Sequence, residues 1–285
     1  MTAPRTIGVL GGGRMGAGIA HAFLLAGAEV VVVERDEYAA DAAAERVRQS
    51  TARSLERGAA AGSLDRYEAA FSTATDAAAF VDCDLVIEAV PEDRALKTEA
   101  LERAERAMPA ASVLASNTSS ISIDALAANL ERPERFLGLH FFNPVPASTL
   151  VEVVVGSVTS SEVVAAARGW IAAIDKTAIV VRDSPGFASS RLGIALGLEA
   201  IRMLEEGVAS AADIDAAMTL GYRHPTGPLR TTDIVGLDVR LGIAEELAER
   251  LGARFEPPAL LRRMVAEGRL GRKSGEGFYV WENER

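Results

Sequence analysis

In the N-terminal part of the chain, short apolar runs alternate with longer stretches of mixed character. "TIGVL" (6–10), "EVVVVE" (29–34), "LVIEAV" (85–90), "SVLASN" (112–117), "FLGLHFF" (136–142), "LVEVVVG" (150–156) and "IVVRD" (179–183) have the length and composition of buried strands. Between the first two, Met15, Ile19, Phe23 and Leu24 recur at helical spacing, with Gly27 as a stop. The Ala-rich, charged stretch 36–71 reads as two helices broken near "AAGSLD", and 94–108 and 161–174 read as further helices. Alternation of this kind predicts a parallel sheet covered on both faces. The pattern changes after "VRDSPGF". Ser184 and Pro185 have the form of an N-cap and first helical residue, opening a helix that runs to Glu206 and stops at Gly207. Helices are predicted at 213–220, 236–251 and 258–267, the first two stopped by Gly221 and Gly252. The spacing therefore predicts an α/β domain over 1–184 and an all-helical domain over 185–285. The first helix of the second domain is apolar nearly all round and needs cover on several sides, which predicts a homodimer.

The first strand runs into "GGGRMG", so Gly11, Gly13 and Gly16 fall between a strand and a helix. In a Rossmann-type unit the first glycine permits the turn, the second lets the backbone approach a pyrophosphate, and the third allows close helix–strand packing. The next strand ends at Glu34, placed to accept the hydroxyls of an adenosine ribose. A 2′-phosphate there would meet a like charge; two unit charges ~4 Å apart repel by about 4 kcal/mol at an effective dielectric near 20. Arg35 could attract that phosphate but is free to swing to solvent, so NAD is the expected cofactor.

Composition narrows the class. A net charge of −10 argues against a nucleic-acid binder. No apolar run is long enough to cross a membrane, and the N-terminus has no signal-like apolar segment, so a cytoplasmic protein is expected. The single cysteine, Cys83, has no partner for an intrachain disulfide and reads as a packing residue. No metal site is expected.

The chain has only three histidines. His140 sits in one apolar run and Glu152 in the next, a pair that reads either as a buried structural hydrogen bond or as a base and its orienter. His21 and His224 read as structural.

The segments "GGGRMGAGIA", "VIEAVPED", "LASNTSSISI", "LHFFNPVP", "LVEVV", "DSPGF", "HPTGPL" and "GRKSGEGFY" occur in an order that resembles the 3-hydroxyacyl-CoA dehydrogenase family, closest to its short, stand-alone 3-hydroxybutyryl-CoA dehydrogenases. The resemblance runs from Ile7 to Tyr279. It implies NAD-dependent oxidation of a (3S)-3-hydroxyacyl-CoA, or the reverse reduction, in fatty acid metabolism, with an acyl-CoA thioester as substrate. It implies that His140 is the general base, oriented by Glu152, and that Ser119 contacts both substrate and nicotinamide, with Ser120 as the alternative. Asn117 and Thr118 are expected to shape the turn. Met15, Glu92, Lys97, Asn143 and Lys273 match positions near the cofactor, although for the two lysines a solvated role stays open. Ser54 resembles a serine of the CoA-binding hairpin, with Arg48, Arg53 and Arg57 nearby; a solvated helix face is the alternative for each arginine. The chain departs from the pattern at Ser190, where the family has asparagine to orient substrate, and in "PASTL" (146–150). These departures keep a second reading open, oxidation of a carrier-protein-linked or free hydroxy acid, beside a third, a non-catalytic NAD-binding relative.

Overall fold

The computed structural model describes residues 4–281. The chain divides between Ser184 and Pro185 into two compact units. The first opens with β1 (Thr6–Leu10), α1 (Arg14–Leu25), β2 (Glu29–Val33), α2 (Glu37–Glu56), α3 (Leu64–Ala69) and β3 (Phe71–Ala74). It continues with β4 (Leu85–Glu88), α4 (Arg94–Ala107), β5 (Val113–Ser116) and α5 (Ile123–Ala127). It closes with β6 (Phe136–Phe141), β7 (Leu150–Val155), α6 (Ser161–Ala173) and β8 (Thr177–Arg182). The eight strands form one sheet in the order β3-β2-β1-β4-β5-β6-β7-β8. All neighbours pair in parallel except β6 and β7. This is the mostly parallel α/β sheet expected from the alternation. The strand order reverses on either side of β1, which leaves a crevice at the carboxyl ends of β1 and β4 where such sheets bind ligands.

Local chemistry explains the helix starts. Asp36 caps α2 by accepting from Ala39 N at 2.8 Å, Asp93 caps α4 through Leu96 N at 2.9 Å, and Ser160 caps α6 through Val163 N at 3.3 Å. Ile7, Val9, Ile19, Phe23, Val32, Ile87 and Leu139 pack into one continuous core between sheet and helices.

The second unit holds α7 (Ser189–Glu205), α8 (Ala211–Ala216), α9 (Pro228–Val235), α10 (Leu237–Leu251) and α11 (Ala259–Ala266). Its own core is built from residues such as Ile194, Leu198, Leu229, Leu247 and Leu261. The elements differ from the expected ones at four places. The helix predicted to start at Ser184 starts at Ser189, because Gly186 and Phe187 take positive φ (72° and 46°) and turn the chain first. The strand β3 and the helices α5 and α9 are additional to the elements predicted.

Candidate active site

The carboxyl ends of β1, β2, β4, β5 and β6 open into a cavity of about 920 Å³. Gly11, Gly13, Met15, Glu34, Glu92, Lys97, Ser119, His140 and Asn143 all line it. The glycine turn has the geometry its spacing predicts. Gly11 has φ +96°, a conformation side chains resist, while a Cβ on Gly16 would lie 1.8 Å from the Gly11 carbonyl oxygen. A Cβ on Gly13 would meet nothing within 4 Å, so that face of the loop is open to a ligand. Gly12, which the spacing did not single out, is forced by packing: a Cβ there would lie 2.3 Å from Ala43 Cβ of α2. No acidic side chain lies in the first turn of α1, so its N-terminus presents bare N–H groups and the positive end of the helix dipole.

Glu34 is fixed at this loop, its Oε1 accepting from Gly12 N at 2.7 Å. Arg35 turns away to pair with Asp36 at 3.1 Å, with its side chain 81% exposed. The open Gly13 face, the helix start and the carboxylate at the end of β2 fit the pyrophosphate and ribose of NAD, and leave a 2′-phosphate facing a negative charge.

Across the cavity, Lys97 is 1% exposed, which removes the solvated reading of this lysine. Its Nζ donates to Glu88 at 2.7 Å and to the Val90 carbonyl at 3.1 Å, and pairs with Glu92 at 3.3 Å. Glu88 is completely buried and also accepts from Ser116 Oγ (2.5 Å) and Val90 N (2.7 Å). Burial raises the Glu88 carboxyl above its ordinary value, against the pull of Lys97 and these donors. Burial acts the same way on Glu92, but there Lys97, Thr118 and the Ser119 N–H outweigh it, and its carboxyl lies below the ordinary range. Glu92 gathers the turn after β5: its Oε1 accepts from Thr118 Oγ1 (2.6 Å), Ser119 N (2.8 Å) and Ser120 N (3.1 Å). The Ser119 and Ser120 hydroxyls lie 3.2 and 3.1 Å from the same oxygen; of the two, Ser119 lines the cavity.

His140 and Glu152 face one another directly in the antiparallel β6–β7 ladder. His140 Nδ1 lies 2.7 Å from Glu152 Oε2, with Glu152 fully buried and the ring 7% exposed. A carboxylate only accepts, so Nδ1 carries a hydrogen, and in the neutral ring the lone pair is then on Nε2. The ring stacks at a tilt on Phe142, centroids 4.5 Å apart. Asn117 braces this end of the strand, accepting from Phe141 N at 2.9 Å.

Ser190 and Lys273 belong to the second unit; Ser190 is half-buried near the start of α7, and Lys273 donates to Asp238 at 2.6 Å. Ser54 lines a second cavity of the first unit, together with Arg53 and Arg57. Arg48 instead pairs with Glu45 at the surface (3.3 Å). Sequence reasoning missed Glu88, whose partners lie on other elements, and Arg46, which donates to the Gly12 carbonyl at 3.3 Å and lines both cavities. Among the described residues, no helix is long and apolar enough to cross a membrane and no cluster of His, Cys, Asp and Glu could hold a metal ion.

Comparison with known proteins gives a consistent picture. Residues 6–184 match the model of the 3-hydroxyacyl-CoA dehydrogenase NAD binding domain, and residues 186–281 that of the 3-hydroxyacyl-CoA dehydrogenase C-terminal domain. The chain is 41% identical to a probable 3-hydroxybutyryl-CoA dehydrogenase of Deinococcus radiodurans, over 96% of this chain and 99% of that protein. It is 43% identical to the 3-hydroxybutyryl-CoA dehydrogenase of Mycobacterium tuberculosis, over 96% and 98%. It superimposes on the crystal structure of (S)-3-hydroxybutyryl-CoA dehydrogenase from Ralstonia eutropha with a TM-score of 0.93 at 38% identity, over 99% of this chain and 100% of that one.

Proposed function

This chain belongs to the 3-hydroxyacyl-CoA dehydrogenase family, and from that premise we propose how its own side chains carry the NAD-dependent interconversion of a (3S)-3-hydroxyacyl-CoA and the 3-oxoacyl-CoA. The observation that carries the reading is the His140–Glu152 bond, with the imidazole opening onto the same cavity as the glycine turn. In the oxidative direction Nε2 takes the proton of the 3-hydroxyl. The ring then becomes an imidazolium, and the Glu152 carboxylate, already in place, stabilises it without reorganising. The NAD that the glycine turn and Glu34 would hold would supply the hydride acceptor for the carbon that carries this hydroxyl. Ser119, whose backbone N–H and hydroxyl are held by Glu92, lines the cavity where it can meet both substrate and nicotinamide. In reduction His140 returns the proton. Gly11, Gly13, Met15, Gly16, Glu34, Glu92, Lys97, Ser119, Asn143 and Lys273 are the proposed cofactor contacts, and Ser54, Ser119 and Ser190 the proposed substrate contacts.

The test is loss of NADH absorbance on adding acetoacetyl-CoA, repeated with His140→Gln. Turnover that falls by orders of magnitude in the variant, with NADH affinity kept, supports the role. Loss of NADH affinity as well would make His140 structural. Turnover of a carrier-protein thioester but not of CoA thioesters would favour the second reading, and NAD binding without any turnover the third. The exposed Leu192, Leu220 and Tyr222 of the second unit support a homodimer, which light scattering would test. The lone, buried Cys83, whose thiol burial pushes up to about 12, is consistent with a reducing, cytoplasmic setting.

A further inference from the structure

The second cavity, of about 870 Å³, is bounded by α1, α2, the loop between β6 and β7 and the turn before β8. His21 of α1 lies in its wall, 3% exposed, with Nε2 3.0 Å from Ser54 Oγ of α2. Its Nδ1 makes no hydrogen bond of normal geometry. Burying an imidazole costs solvation that an aliphatic residue filling the same space would not, so packing alone does not account for a histidine here. Arg53 of α2 and Lys176 of the turn before β8 act on the ring electrostatically. Arg14 on α1, Arg46 and Arg57 on α2, and Asp175 beside Lys176 are the other charged groups of the cavity wall. The loop segment 143–147 brings no titratable side chain. Lys176 is itself anchored by the carbonyls of Val145 (2.7 Å) and Ser148.

We propose that His21 is a positioning residue for the carrier end of the substrate: it aims the Ser54 hydroxyl, and when protonated it adds a cation beside Arg53 and Lys176, so that a phosphate-bearing thioester carrier binds more tightly as pH falls. The inference rests on reading the second cavity as the carrier's subsite. With Nε2 bare, the Ser54 hydroxyl donates to the ring and shows the cavity only its lone pairs. With Nε2 protonated, the ring donates and the Ser54 hydrogen turns outward, where it can donate to a phosphate or amide oxygen. Burial holds the ring below its ordinary value of 6.5, helped by Lys176 and Arg53 and opposed by the Ser50 backbone. A phosphate brought into the cavity offsets both cationic repulsions and draws the proton back onto the ring, so carrier binding and proton uptake are linked.

The experiment compares the holoenzyme with its His21→Gln variant, which keeps a polar side chain and loses the titration. CoA affinity is measured by calorimetry, and KM and kcat with acetoacetyl-CoA, at about pH 7.5 and in steps downward through the range below the ordinary imidazole value for as long as both proteins stay folded. The titration of the phosphate is common to both proteins and cancels in their ratio. The advantage of wild type in CoA affinity, and the matching deficit in KM, should grow about three- to tenfold toward the lower pH, the effect of one hydrogen bond. The kcat and the NADH affinity should stay level. A ratio constant with pH, or equal losses in kcat and NADH affinity, would overturn the role. Ala22→Trp, which fills the cavity from the same helix, tests the reading beneath it. If that variant binds NADH and still binds CoA normally, the carrier does not lie there and both ideas fall. If CoA binding is lost in Ala22→Trp while the His21→Gln ratio stays flat, only the role of His21 falls.

Discussion

Replacing Glu152 by Gln keeps the shape of the side chain and removes the charge that faces His140 at 2.7 Å. Two losses follow. The imidazolium formed when the ring takes a proton no longer has a counter-charge; for unit charges ~4 Å apart at an effective dielectric near 20 that attraction is about 4 kcal/mol. The Gln amide can also donate to Nδ1, which moves the ring hydrogen to Nε2 and removes the lone pair that accepts the substrate proton. The electrostatic loss alone corresponds to a fall of about a thousandfold in rate, and the tautomer change acts in the same direction. Glu152 is on β7 and is not part of the glycine turn, so NADH affinity should hold. The assay is acetoacetyl-CoA-dependent oxidation of NADH at saturating substrate, with NADH affinity followed by fluorescence quenching and the fold by thermal melting. A folded variant that keeps its rate to within about tenfold would refute the argument, since one lost neutral hydrogen bond would then suffice to explain it.

Two glycine substitutions should separate binding from folding: Gly13→Ala meets no neighbour and should fold normally with weakened NADH binding, whereas Gly16→Ala drives a Cβ into the Gly11 carbonyl and should lose thermal stability or soluble expression. Lys97→Met leaves the buried Glu88 without its cation and should cost about 3–5 kcal/mol in denaturant unfolding, part of which Glu88→Gln should restore in the double variant. Glu92 has its folded pKa below the ordinary 4.5, so its contribution is complete above that value and is lost as pH falls through the lowered one. Acid unfolding of Glu92→Gln should therefore show a shallower fall in stability below about pH 4.5 than wild type; identical acid limbs would contradict the network drawn around the Ser119 turn.

What could be read from the chain was what local pattern encodes. The strand–glycine turn–helix with an acid at the end of the next strand, and the two apolar runs carrying His140 and Glu152, each declare themselves over a few residues. The edge strand Phe71–Ala74 does not, because Ser72 and Thr73 interrupt its apolar pattern and its stability comes from pairing with β2. "SPGF" misled for the opposite reason: Ser-Pro is a sound helix opening, but the turn at Gly186 and Phe187 overrides it. Glu88 looked like any carboxylate in a strand, and only the folded chain brings Lys97 and Ser116 to it. Arg46 and His21 likewise take on meaning only when α1, α2 and the glycine turn are assembled around them.

His140 and Glu152 occupy opposite rungs of one antiparallel ladder, and residues 142–149 join the rungs. Their spacing is thus set by inter-strand geometry and not by the connecting segment. Beyond Phe142 and Asn143, which serve the cavity themselves, a change of length or side chain in residues 144–149 would leave the separation of the proposed proton-transfer pair intact.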